Sequence, residues 1–228
     1  MATDEPDEHE PRKAKVLIVD DHPIARLGLT QLINQEDDLE VCAQAENAQE
    51  ALKAITCGEP DVAVVDISLP GRNGLELVRD LRARNNSLPI LVLSIHDEAL
   101  YAGRALRTGA SGYIMKEEAA EEVVAAIRCV LAGEIYLSRS MASRMLQKAL
   151  RGNGSVPNSP AEVLTDRELE VFELMGRGMR TRQIAEHLDL SVKTVESHQA
   201  HIKAKLNLPS ATELLRHAVL WVQGTDVC

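Results

Sequence analysis

Between Lys15 and Ala132, five short apolar runs ending at polar residues alternate with segments of helical period. The runs are Val16 to Asp20, Leu39 to Ala43, Val62 to Asp66, Ile90 to Ile95 and Gly112 to Met115. The helical segments are Ile24 to Asn34, Ala48 to Thr56, Gly74 to Arg84, Ala99 to Thr108 and Ala119 to Leu131. A strand that is apolar on both faces needs cover on both, and helical crossovers supply it. The pattern therefore predicts an α/β, doubly wound parallel sheet of five strands. Pro23, just inside the first helix, and Gly109, just after the fourth, fit the start and stop preferences of helices.

Beyond Ala132 the character changes. A short helix from about Ser138 to Leu150 is expected, and Arg151 to Pro160 reads as a flexible linker by its Gly, Asn, Ser and Pro content. Everything after it reads all-α. Thr165-Asp166-Arg167-Glu168 and Ser210-Ala211-Thr212-Glu213 are capping boxes, and Thr181 and Ser191 are N-cap candidates for the two helices between. The expected divisions are a disordered acidic tail at 1–14, an α/β domain at 15–132, a linker with a short helix at 133–162 and a four-helix domain at 163–228. No apolar run approaches the roughly 18 residues of a membrane helix. Met1 to Pro11 is acidic and lacks the apolar centre of a secretion signal. With no C-x-x-C among Cys42, Cys57, Cys129 and Cys228, reduced thiols in a cytoplasm are expected.

In an open parallel sheet, ligands sit outside the carboxyl ends of the strands, where strand order reverses. Here those ends carry Asp20 and Asp21 on strand one, Asp66 on strand three and Ser94 on strand four, with Lys116 after strand five. The order 2-1-3-4-5 makes strands one and three neighbours and gathers three carboxylates. Like charges so close destabilise the fold unless a cation intervenes, and a hard dication with oxygen ligands answers that need. Mg²⁺ is the expected cofactor. A carboxylate beside a metal and an ammonium suits attack on a phosphoryl donor, and Ser94 is placed to bond the product phosphate.

The segments VLIVDDHP, VAVVDISLPGRNGLEL, ILVLS and ASGYIMK resemble the receiver domain of two-component response regulators from about Lys15 to Leu131. The resemblance implies that Asp66 accepts a phosphoryl group from a histidine kinase. It implies that Asp20 and Asp21 hold Mg²⁺, Asp21 directly, with Asp66 and the main-chain carbonyl of Ser68 as further ligands. Ser94 and Tyr113 match the family's switch pair, a hydroxyl that follows the phosphate and a ring that moves with it.

In the second domain, a helix from Leu164, then Arg182 to Leu188, a turn and Ser191 to Leu206 make a helix-turn-helix plan, whose second helix enters the major groove of double-stranded DNA. At about 100° per residue, Val192, Val195, Gln199, Ile202 and Leu206 share one side of that helix. Lys193, Ser197, Ala200 and Ala204 lie opposite, with Glu196 and His201 at the edges. Small residues between lysines allow close approach to base edges while the flanks reach phosphates. The net charge of −10 argues against a nucleic-acid partner, but residues 191–206 carry three lysines and two histidines against Glu196 alone. Weak monomer binding, strengthened by a homodimer on two half-sites, is expected.

LTDRELEVFELMGRG and TRQIAEHLDLSVKTVESHQAHIKAKL are similar to the LuxR-type helix-turn-helix over about Val163 to Val222, and with the receiver resemble the NarL/FixJ class of transcriptional regulators. By position this implies base contacts from Glu196, Ser197 and Ala200, and phosphate contacts from Lys193, Thr194, Lys203 and Lys205. Gln199 and His201 stand where many relatives carry arginine. His198 is read as core packing. The last helix, from Ala211 to Val222, is expected both to pack and to form the dimer contact. The resulting expectation is a phosphorylation-dependent transcriptional regulator, not an enzyme, whose fourth helix and fifth strand form a bistable face that packs on or masks the DNA-binding domain. Two rivals are a phosphohydrolase, which of the haloacid dehalogenase type would want D-x-D after strand one, and a phospho-switched protein-interaction adaptor without DNA binding.

Overall fold

The structure, a computed structural model, describes residues 12–84, 87–151 and 160–225. The acidic tail up to Pro11 and most of the expected linker lie outside the described residues.

The first domain runs β1 (Ala14–Val19), α1 (Pro23–Asn34), β2 (Leu39–Ala45), α2 (Ala48–Gly58), β3 (Val62–Asp66), α3 (Gly74–Arg84), β4 (Ile90–Ser94), α4 (Glu98–Thr108), β5 (Gly112–Met115) and α5 (Ala119–Leu131). All pairings are parallel and the order is β2-β1-β3-β4-β5, as expected. Inward positions of β1, β3 and β4 are almost wholly buried on both faces. One face packs on α1 and α5 through Ile33, Val123 and Ile127. The other carries Leu75, Leu81 and Tyr101 of α3 and α4, and its apolar cluster continues into Leu164, Leu169 and Phe172 of the second domain.

Pro23 sits at the start of α1, and Gly109 ends α4 in the left-handed region at φ 104°. Gly112 allows a different contact: the chain after α5 returns along β5, where Tyr136 bridges Gly112. There the Tyr136 carbonyl accepts from the Tyr113 amide at 2.9 Å. A Cβ on Gly112 would lie 2.9 Å from Tyr136, so only glycine admits this return.

Helix α6 (Arg139–Arg151) leads on from the first domain, and α7 (Pro160–Val163), α8 (Asp166–Gly176), α9 (Thr181–His187), α10 (Val192–Lys205) and α11 (Ala211–Thr225) follow in the second. The box at Thr165 closes in both directions: its hydroxyl accepts from the Glu168 amide, and Glu168 Oε2 accepts from the Thr165 amide at 2.8 Å. Ser191 caps α10 by accepting from the Thr194 amide, and Ser210 accepts from the Glu213 amide at 3.1 Å. Thr181 is not a cap. Arg180 takes that position because Gln183, three residues on, satisfies its amide at 2.9 Å, which frees the Thr181 hydroxyl to accept from Gln199 of α10. Helices α8 and α11 cross closely at Gly176, where a Cβ would lie 2.5 Å from the Ala218 carbonyl.

Candidate functional site

Parallel register delivers the carboxyl ends of β1, β3, β4 and β5 to one rim, and the expected residues meet there. Lys116 Nζ lies 2.7 Å from Asp66 Oδ2 and 2.7 Å from Asp20 Oδ2. The Ser68 amide donates to Asp66 Oδ1 at 3.1 Å. Gly74, at the head of α3, presses on the Asp66 carbonyl so closely that a Cβ would lie 1.9 Å from it. Asp66 and Asp20 are each 1% exposed, whereas Asp21 is partly open. Carboxylate oxygens of Asp20, Asp21 and Asp66, together with a His22 ring nitrogen, fall within 4.8 Å of one another.

Burial pushes the Asp66 carboxyl above its ordinary value; the Lys116 ammonium opposes that and the Asp20 charge adds to it. Burial would lower the Lys116 ammonium, but Asp66 and Asp20 outweigh it and the ammonium is held above its usual range. Two buried oxygens, Asp20 Oδ2 and Asp21 Oδ1, receive no directed hydrogen bond, though Lys116 and His22 lie near them. Hard, under-satisfied oxygens around a concentrated negative charge suit a hard dication that binds through one or two carboxylates and water.

The two switch candidates share a partner. Ser94 Oγ accepts from the His96 amide at 3.0 Å, and the Tyr113 hydroxyl donates to the His96 carbonyl at 2.7 Å. Tyr113 is fully buried, and burial pushes its phenol well above the ordinary value.

Residues the sequence did not flag hold the two domains together, most of them against α8 and the turn that leads into it. Arg104 of α4 donates to Asp166 Oδ1 at 2.8 Å and to the carbonyls of Ala161 and Leu164, each at 2.6 Å. Asn73 donates to Glu170 at 3.2 Å, and the Tyr101 hydroxyl to Glu173 at 3.1 Å. His96 Nδ1 lies 3.1 Å from Glu173 Oε2, while its Nε2 lies 3.1 Å from the Ser68 hydroxyl. Burial alone would lower the His96 imidazole, but Glu173, with Glu170 and Asp66 behind it, outweighs that and raises it. The Gly71 amide, at φ 70°, reaches the Leu188 carbonyl at 3.3 Å. Asp166, Glu170 and Glu173 recur at i, i+4 and i+7, so an acidic stripe was readable, but such a stripe ordinarily faces water.

On α10, Val195 and Ile202 are fully buried, and Gln199 and Leu206 half-buried, as the periodicity predicts. Val192, at the first helical position, is instead 42% exposed. Lys193, Glu196, Ser197, Ala200 and Lys205 are exposed, and Thr194 and Lys203 half-buried. A concave patch of about 290 Å³ is lined by Ser191, Lys193, Thr194, Ser197, His198 and His201. Lys205 already pairs with Glu168 at 2.6 Å, and the Thr194 hydroxyl with Ser191 at 2.7 Å. His198 is half-buried, and burial, then the charge of Arg167, lowers its imidazole. Docking thus covers α8 and leaves the expected DNA-reading face of α10 open.

Residues 16–128 match the response regulator receiver domain, and residues 162–218 match the bacterial regulatory proteins of the luxR family. The oxygen regulatory protein NreC of Staphylococcus carnosus is 36% identical over 209 residues, covering 90% of this chain and 96% of the relative. A LuxR-family two-component response regulator from Aurantimonas superimposes with a TM-score of 0.57 at 35% identity, over 60% of this chain and 99% of that one. RcsB of Salmonella enterica, solved on promoter P1flhDC with the phosphomimetic BeF3⁻, is 25% identical over 91% of this chain and 98% of its own, with a TM-score of 0.60. The chain belongs to the two-component response regulators that join a receiver domain to a LuxR-family helix-turn-helix, phosphorylation-dependent regulators of transcription that bind DNA.

Proposed function

We propose that Asp66 is the phosphoacceptor of this regulator and that Asp20, Asp21, Asp66 and the Ser68 carbonyl are the ligands of a Mg²⁺ ion. The observation that carries this is the meeting of Asp66, Asp20 and Lys116 within 2.7 Å contacts at one rim of the sheet. An Asp66 carboxylate oxygen attacks phosphorus, and the bond from phosphorus to the kinase's histidine nitrogen breaks with its electron pair leaving on nitrogen. Lys116 offers its ammonium to the transferring oxygens, the Ser68 amide orients Asp66, and Ser94 offers its hydroxyl to the product. When bound, the metal supplies charge neutralisation at the same oxygens. The cycle stops at one equivalent of phosphoryl group, so the chain acts as a switch and not as a turnover enzyme.

The α/β domain of residues 15–132 carries this site, and residues 163–228 carry the DNA contacts. Lys193, Thr194, Lys203 and Lys205 approach phosphates, and Glu196, Ser197 and Ala200 approach bases. Leu215 of α11, 46% exposed, and the half-buried Val219 one turn on supply an apolar strip for a homodimer of phosphorylated chains. The protein works in the cytoplasm; among the described residues no helix is long and apolar enough to cross a membrane.

Asp66→Asn is expected to abolish labelling by acetyl phosphate in the presence of Mg²⁺. Full-stoichiometry label on the variant would move the acceptor to another residue. In the same preparation, Lys193→Ala should lower the slope of DNA affinity against salt by about 0.9, and an unchanged slope would favour the adaptor.

A further inference from the structure

Bonds from both domains converge on His96. Its amide is held by Ser94 Oγ and its carbonyl by the Tyr113 hydroxyl, so both members of the switch pair end on this one residue. Nε2 meets the Ser68 hydroxyl, and the Ser68 amide in turn holds Asp66. Nδ1 faces the opposite way, onto Glu173 of α8. The ring stacks on Tyr101, centroids 4.5 Å apart, and Tyr101 donates to the same Glu173 oxygen. His96 is 4% exposed, and Glu170 and Glu173 are 1% and 4% exposed.

We propose that His96 is the positioning residue through which the state of Asp66 reaches the DNA-binding domain: its imidazole grips Glu173 while Ser94 and Ser68 hold it in place, and esterification of Asp66 loosens that grip. The inference rests on Asp66 being the acceptor. A phosphoryl group there adds negative charge and acceptor oxygens beside Ser94, Ser68 and the Nε2 side of the ring. It draws the Ser94 hydroxyl away from the His96 amide and competes with Glu173 for the imidazole. It also faces Glu170, whose Oε1 lies 3.9 Å from Nε2, in a setting where water screens little. Release matters for DNA because docking ties the domain that carries α10 to an acidic receiver, whose charge opposes that of a phosphate backbone.

The test uses the full chain with its native cysteines replaced by serine and paired spin labels at Lys53→Cys on α2 and Arg182→Cys on α9, both exposed positions. Labelled protein is diluted into unlabelled protein, so that distances within one chain are read. The parent is expected to give one narrow distance distribution that broadens with acetyl phosphate and Mg²⁺. His96→Ala should be broad before any phosphodonor, its undocked fraction raised about tenfold, the equilibrium equivalent of one charge-assisted hydrogen bond. Glu173→Gln, which keeps shape and an acceptor for Tyr101, should behave the same way, and the double variant should add nothing further. His96→Asn retains a donor near Nδ1 without the Nε2 side; it should dock and then broaden less than the parent, a response that a purely structural role would leave intact. Variants that stay narrow and then broaden like the parent would overturn the inference, and if His96→Ala fails to fold, Glu173→Gln decides. Label uptake is measured in the same samples: a parent that takes no label removes the reading of Asp66, whereas full label with unmoved distances removes only the role of His96.

Discussion

Asp66 is an acid kept at the end of an apolar strand, and its surroundings set both its reactivity and its cost. Because burial raises its pKa, the folded protein holds the proton more tightly than the unfolded chain does. As pH climbs from the unfolded value near 4 towards the raised folded value, folding loses free energy, and above both the loss is complete. Asp66→Asn removes the ionisation. In urea titrations at pH 7.5 the variant is expected to be more stable than the parent, with the gap shrinking as pH falls towards the unfolded value. Added Mg²⁺ should narrow the same gap at pH 7.5 by stabilising the parent alone. A gap that widens on acidification would contradict the assigned direction.

At the scale of elements, helix starts do much of the positioning. The Thr165–Glu168 box fixes where α8 begins, and Glu168 also receives Lys205 from the end of α10. Burial would raise the Glu168 carboxyl, but Lys205 and Thr165 outweigh it and hold it below the ordinary range. Its contribution therefore stands at neutral pH and is lost only as pH falls through that depressed value. Glu168→Ala should cost about 1–2 kcal/mol of helical-domain stability, read as a lowered unfolding midpoint of that domain by calorimetry. This is also where the chain was most legible. The bounds of β3, α3, β5 and α5 follow from apolar period and punctuation alone, and so do the rim positions of Asp20, Asp21, Asp66 and Lys116, since a parallel sheet has one rim for them. The start of α9 was not legible, because Gln183 competes with Thr181 through a side chain three residues away.

At the scale of the whole molecule, packing of the fourth-helix face on the second domain was expected and α4 does dock there, but the individual pairs of the interface escaped sequence reading for a physical reason. Its members come in pairs far apart in sequence, such as Arg104 with Asp166, 62 residues on, and Asn73 with Glu170, 97 residues on, and no local pattern couples them. Each acid of α8 reads as solvated until its partner is known. Arg104 makes three hydrogen bonds across the interface, to one carboxylate and two carbonyls. Arg104→Ala leaves Asp166, among the described residues, with the longer contact to Arg79 at 3.4 Å, and a buried charge so weakly paired is costly enough to favour separation. Small-angle scattering at low concentration should show a larger radius of gyration for the variant, and an unchanged radius would assign docking to the apolar contacts instead.

The return of the chain past β5 has a practical corollary. A terminal strand with free amides is a template on which a second copy can polymerise, and Tyr136 blocks that template by bridging Gly112. A receiver fragment severed at Ala132 would lose this guard, whereas one extended through Ser138 would keep it. Sedimentation of the two fragments should find the shorter one self-associating and the longer one monomeric, so expression boundaries are best drawn past the guard and not at the last turn of α5.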